Sequence, residues 1–97
     1  MNVFGALADD TRRSLLREVI ERGPVTATEL AAERPMSRQA VAKHLGILGD
    51  AGLVHATRTG RETRYVADPE PLDSVRTWVD ETGAAWDRRL ERLRGLL

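Results

Sequence analysis

The sequence predicts a mainly α domain with one small β-hairpin and a long C-terminal helix. Three observations predict it. Two short helical patterns stand back to back between Thr26 and Ala51, divided by Pro35. Strand-forming segments then flank Gly60-Arg61. Beyond them, apolar residues recur at three- and four-residue steps from Leu72 to Leu97. The 97 residues make one domain with a small core, and 31% charged against 41% hydrophobic residues is a globular balance.

Val3, Phe4, Leu7 and Ala8 suggest a short first helix ending near Asp9. Asp9 or Asp10 caps a second, in which Leu15, Leu16, Val19 and Ile20 are apolar at helical spacing. Acids at its start and Arg22 at its end suit the helix dipole, and Gly23-Pro24 stops it. Arg12 and Arg13 can touch phosphate, although such residues more often form surface ion pairs or interface contacts. Thr26 or Thr28 caps the next helix, and Glu29, three residues after Thr26, completes a capping box. Pro35 is expected to end it, since proline cannot continue the hydrogen-bond ladder. Ser37 caps the following helix, which runs to Ala51-Gly52.

That helix carries the functional signal. Val41, Leu45 and Leu48 share one face, with Ala40, His44 and Ile47 beside them. Arg38, Gln39, Ala42, Lys43 and Gly46 form the other, and no acid lies between Ser37 and Gly49. A helix in a DNA major groove needs this combination: small residues for close approach and forked donors near its N-terminus for base edges. A solvated face with two ordinary cations is the plain alternative. The hairpin Leu53–Ala67 weighs against it, because Arg58, Arg61 and Arg64 sit around its turn, where they can reach phosphates or an adjacent minor groove. A helix-turn-helix over 26–51, a wing over 53–67 and a terminal helix over 71–97 make a single winged helix-turn-helix domain.

Charge distribution supports that reading better than total charge does. The chain is neutral, with 15 Lys+Arg and 15 Asp+Glu. From Arg34 to Arg64, however, six cations face two acids, while from Asp68 onward seven acids face five cations. A local basic surface, not the whole-chain sum, attracts phosphate. The neutral total keeps a second class in view: a winged helix that binds an acidic protein partner through Arg38 and the wing, without DNA.

Other classes find no support in the residues. There is no cysteine, and the two histidines, His44 and His55, are far apart in sequence, whereas a metal site needs three or four converging ligands. No nucleophile–base–orienter set stands out, and TRTGRETR has an isolated glycine rather than a phosphate-cradling loop. No enzyme activity and no cofactor are expected. No run approaches membrane-span length and MNVFGALADD lacks signal-peptide character, so a cytoplasmic protein is expected.

The segments ALADDTRRSLLREV, TATELAAERPMSRQAVAKHLGILGDAGLV and RTGRETRYVADPEPL, in that order and spacing, resemble the ArsR/SmtB family of bacterial winged-helix repressors over nearly the whole chain. The resemblance implies a homodimer that binds operator DNA and represses transcription. It places recognition-helix contacts on Ser37, Arg38, Gln39, Lys43 and His44, and wing contacts on Arg58, Arg61 and Arg64. Metal-sensing members carry cysteine pairs before the turn or Asp/His ligands on the last helix. Here TATELAAERP has neither Cys nor His, and 71–97 has no His, so no metal is expected. An unidentified effector remains an expectation from the family.

The tail supplies a reason to dimerise. Leu72, Val75, Val79, Trp86, Leu90, Leu93 and Leu97 form an apolar stripe, with Trp78 next to it. A helix of about 26 residues extends roughly 39 Å, too far for a domain this small to cover by itself. Pairing with a second copy through Val79, Trp86, Leu90 and Leu93, helped by Val3, Phe4 and Leu7, would bury the stripe. Gly83-Ala84-Ala85 offers a bend or a close helix contact.

Overall fold

The computed structural model describes residues 2–96. Two helices open the chain: the short α1 (Val3–Ala6), capped by Asn2, and the longer α2 (Asp10–Arg22), capped by the Asp9 carboxylate. β1 (Val25–Thr26) leads into α3 (Ala27–Ala31). α4 (Arg38–Asp50), the hairpin β2 (Val54–Thr59) and β3 (Glu62–Ala67), and α5 (Leu72–Arg94) complete the order. The winged helix-turn-helix expected from the sequence is therefore present.

Local chemistry fixes the corners. Thr26 Oγ1 accepts from Glu29 N–H at 3.1 Å, and Glu29 Oε1 accepts from Thr26 N–H at 3.0 Å, the reciprocal capping box. α3 stops at Ala31, earlier than the Pro35 expected from sequence; tight turns carry the chain onward, with Arg34 N–H donating to Ala31 O. At the end of α4, Leu53 N–H donates to Leu48 O at 3.0 Å and Gly52 N–H to Gly49 O at 2.9 Å. This double bond pattern needs a left-handed residue between, and Gly52 has φ 77°. At the wing tip Gly60 has φ 62° and Arg61 has negative φ, as a two-residue type II′ turn requires.

The sheet has the order β1-β3-β2, antiparallel throughout, with Val25 opposite Tyr65 and Thr57 opposite Arg64. β1 is an addition to the expected hairpin. Behind the sheet, Leu15 and Val19 of α2, Leu30 of α3, and Val41, Leu45 and Leu48 of α4 close one core with Val25 and Leu53. Ile20, expected among them, is exposed. Val3, expected in an interface between copies, is only 8% exposed and belongs to this core, because α1 folds against α4.

α5 is different. None of its described residues is buried. The molecule measures 65 × 26 × 22 Å, because this 23-residue helix runs out from the body without interruption at Gly83. Phe4 meets Trp78 edge-on, centroids 6.1 Å apart, near its start. Beyond that, Val79, Trp86 and Leu93 face water, with Trp86 59% exposed, and Leu90 is half-buried. Leu97, the last residue of the expected stripe, lies outside the described residues.

Candidate nucleic-acid interface

A groove of about 590 Å³ runs between the start of α3, the outward face of α4 and the wing. Arg38 and Ala42 form its α4 wall, Thr28 and Glu29 its α3 end, and Arg58, Arg61 and Arg64 its wing side. The capped start of α4 sets the geometry. Ser37 Oγ accepts from Ala40 N–H at 3.1 Å, which orients the first turn and leaves the hydroxyl proton able to donate. Arg38, Gln39 and Lys43 follow as exposed side chains, while Gly46 leaves the face open, since a Cβ there would meet nothing within 4 Å. Replacing Ser37 with alanine is expected to lower stability by about 1 kcal/mol, measured as a shift in the urea midpoint at unchanged slope.

His44 does not share that face. It is half-buried, its Nδ1 is enclosed without a hydrogen-bond partner among the described residues, and its ring lies near the Asp9 carboxyl at the start of α2. The position implied by the family resemblance is thus turned toward the α2 corner here. His55, on β2, pairs with Asp68 at 3.4 Å. Among the described residues no three His, Cys, Asp or Glu side chains gather as a metal site.

The arginines divide into two groups that the sequence does not separate. Arg12 donates to Ala6 O at 2.7 Å and Gly5 O at 3.2 Å, and Arg13 donates to Leu7 O at 2.6 Å and pairs with Asp10. Both hold the end of α1 on α2. Arg34 also turns inward, donating to Glu18 Oε1 at 2.7 Å and Ser14 Oγ at 3.1 Å, so it fastens the corner between α3 and α4 to α2. Arg64 pairs with Glu62 at 2.8 Å and Glu29 at 3.4 Å. Arg61 stands exposed at the wing tip, and Arg58, also exposed, donates among the described residues only to Gly60 O of its own turn.

Arg34 and Arg64 stand at the two ends of a chain of alternating charge. Arg34 meets Glu18, Glu18 meets Arg22 at 2.8 Å, Arg22 approaches Glu29 at 3.7 Å, and Glu29 meets Arg64. Hydrogen bonds from Arg22 and then Arg34 hold the Glu18 carboxyl below its usual range. For Glu29 the Thr26 backbone N–H is the main cause of the same lowering, with Arg64 and Arg22 adding to it. Carboxyls lowered in the folded state stabilise fully above their ordinary value of 4.5, and that contribution is lost as pH falls below it. Thermal midpoints are expected to be level from neutrality to about pH 5 and to fall below that. Glu18→Gln should flatten part of the fall; an equally steep profile in the variant would remove Glu18 from the explanation.

Comparison with known proteins shows the family. Residues 7–56 match the family described as a helix-turn-helix domain. An uncharacterized HTH-type transcriptional regulator of Bacillus subtilis is 39% identical over 85 residues, covering 80% of this chain and 92% of the relative. The HTH-type transcriptional regulator Rv2034 of Mycobacterium tuberculosis is 41% identical over 85 residues, covering 88% and 76% respectively. The solved structure of an ArsR-like transcriptional regulator from Rhodococcus sp. RHA1 superposes with a TM-score of 0.76 at 42% identity, over 98% of this chain and 89% of that one. With the helix-turn-helix, the wing and the terminal helix all in place, the chain belongs to the ArsR/SmtB family of winged helix-turn-helix transcription regulators, DNA-binding proteins rather than enzymes.

Proposed function

We propose that the protein is a homodimeric repressor that occupies an inverted-repeat operator in double-stranded DNA. The observation that carries this reading is the groove, with exposed Arg38 beside Ala42 on one wall and Arg58 and Arg61 on the other. Arg38 suits the paired acceptors of guanine and Gln39 the donor–acceptor edge of adenine. Ser37, Lys43, Arg58 and Arg61 hold phosphates, which position the protein without reading sequence.

The dimer rests on α5. Val79, Trp86 and Leu93 recur at seven-residue steps, a spacing that keeps them on one side of a helix. Burying them with Leu90 against a second copy, with Phe4 and Leu7 at the edge, removes an apolar stripe from water. Gly83 lies on the same side with open space around its Cα, which permits close helix approach. Two-fold symmetry then sets two copies of α4 about 34 Å apart, or a multiple of that, to match successive major grooves. Release from DNA requires an effector that favours a dimer with a different spacing.

The test is stoichiometry together with footprinting. A duplex enriched from a random pool by the protein should carry two chains and show two protected segments, related by a dyad about one helical turn apart. One chain per duplex with a single protected segment would contradict the dimeric reading.

A further inference from the structure

The groove that faces DNA contains two carboxylates, Glu29 and Glu62, and both are bound to one arginine. Arg64 Nε donates to Glu62 Oε2 at 3.0 Å, and its terminal nitrogens lie 2.8 Å from Glu62 and 3.4 Å from Glu29. The same guanidinium reaches Pro24 O at 3.5 Å. Arg64 stands on β3 opposite Thr26 of β1 and Thr57 of β2, so it is placed in the middle strand of the sheet. Glu29, for its part, closes the capping box of α3 through the same Oε1 that meets Arg64. One carboxylate oxygen thus ties the first helix of the helix-turn-helix to the wing.

We infer that Glu29 is a positioning residue for operator recognition: it withholds Arg64 from phosphate and fixes the wing relative to the reading helix. This rests on the DNA-binding reading above. Two consequences follow from charge and geometry. With Glu29 ionised, Arg64 is neutralised by protein partners and adds little to sequence-independent attraction for the DNA backbone. With the wing tethered to α3, Arg58 and Arg61 are presented at a set angle to α4, which favours a duplex whose groove matches that angle. Low general affinity matters because a genome offers vastly more random sites than operators.

Glu29→Gln isolates this role. Glutamine at the third position still serves a capping box, so the fold of α3 is kept, while the charge that draws Arg64 toward α3 is gone and Arg64 keeps only Glu62, its neighbour on the exposed wing. The measurement is fluorescence anisotropy across a salt series, on the duplex enriched by the unaltered protein and on a scrambled duplex. Glu29→Gln should bind scrambled DNA about two- to fivefold more tightly at low salt, the scale of one exposed charge pair. Its log–log salt slope should steepen by about 0.9 for one further phosphate contact. Operator affinity should rise less than scrambled affinity, so selectivity falls. Adding Arg64→Gln to Glu29→Gln should return the slope to that of the unaltered protein.

An unchanged slope in Glu29→Gln, or weaker binding to both duplexes, would overturn the inference while leaving the DNA-binding reading intact. A steepened slope that persists in the double variant would also overturn it, since Arg64 would not be the source. Absence of any enriched duplex or salt-dependent binding by the unaltered protein would instead remove the DNA-binding reading, and this inference with it.

Discussion

Arg38→Ala is expected to weaken operator binding by about 1–3 kcal/mol per half-site and to relax base choice at one position in each half-site. Arg38 is the first residue of α4. The Ser37 cap orients the turn, and Ala42, one turn on, leaves the backbone able to approach bases closely. A guanidinium there offers two parallel donors to guanine, and no shorter side chain at that position reproduces both. The measurement is anisotropy against the enriched duplex and a panel of single-base changes. A uniform loss across the panel would reassign Arg38 to phosphate and leave Gln39 as the main base reader.

Trp86→Ala is expected to weaken self-association by about 30-fold or more, the scale of an interface anchor worth about 2 kcal/mol. The reason lies in what α5 lacks. No described residue of this helix is buried, and Trp86 presents more than half its surface to solvent, so its truncation removes little from the folded chain itself. Circular dichroism should therefore change little at a concentration where sedimentation shows monomer. Operator affinity should fall with it, because a monomer reads one half-site. An unchanged dimer constant with a large loss of helicity would mean that Trp86 supports the fold rather than the interface.

Caps and turns account for most of what the sequence made legible. Thr26, Glu29, Ser37, Gly52 and Gly60 act through hydrogen bonds or backbone preferences confined to a few neighbouring residues, and each sits where local chemistry places it. The periodic core of α4 is read the same way, since Val41, Leu45 and Leu48 need only a helix and something to cover it. β1 is not legible in the sequence, because two residues give no alternation and Thr26 is also the cap of α3. α3 ends before Pro35, and the turns that follow bring Arg34 to Glu18 and Ser14 on α2, contacts with residues distant in sequence.

Charge was the least transparent signal. A count from Arg34 to Arg64 treats six cations alike, yet Arg34 is fastened to α2, Arg64 to Glu29 and Glu62, while Arg38, Lys43, Arg58 and Arg61 face solvent. Pairing depends on partners distant in sequence, as Glu29 is from Arg64, and no spacing rule encodes it. Val3 carries the same lesson for burial, since it lies on a helix of four residues, too short for periodicity to reveal an inner face. His44 is the reverse case: helical spacing sets it beside the apolar face of α4, where it is half-buried, and only the family resemblance implies a DNA contact.

The most direct test of the central claim is binding of the unaltered protein to its enriched duplex and to a scrambled duplex, followed by anisotropy from low to physiological salt. Selective binding with a steep, linear fall of log affinity against log salt is the predicted result, as expected of several phosphate contacts beside a base-reading helix. Equal affinity for both duplexes, or affinity insensitive to salt, would contradict it.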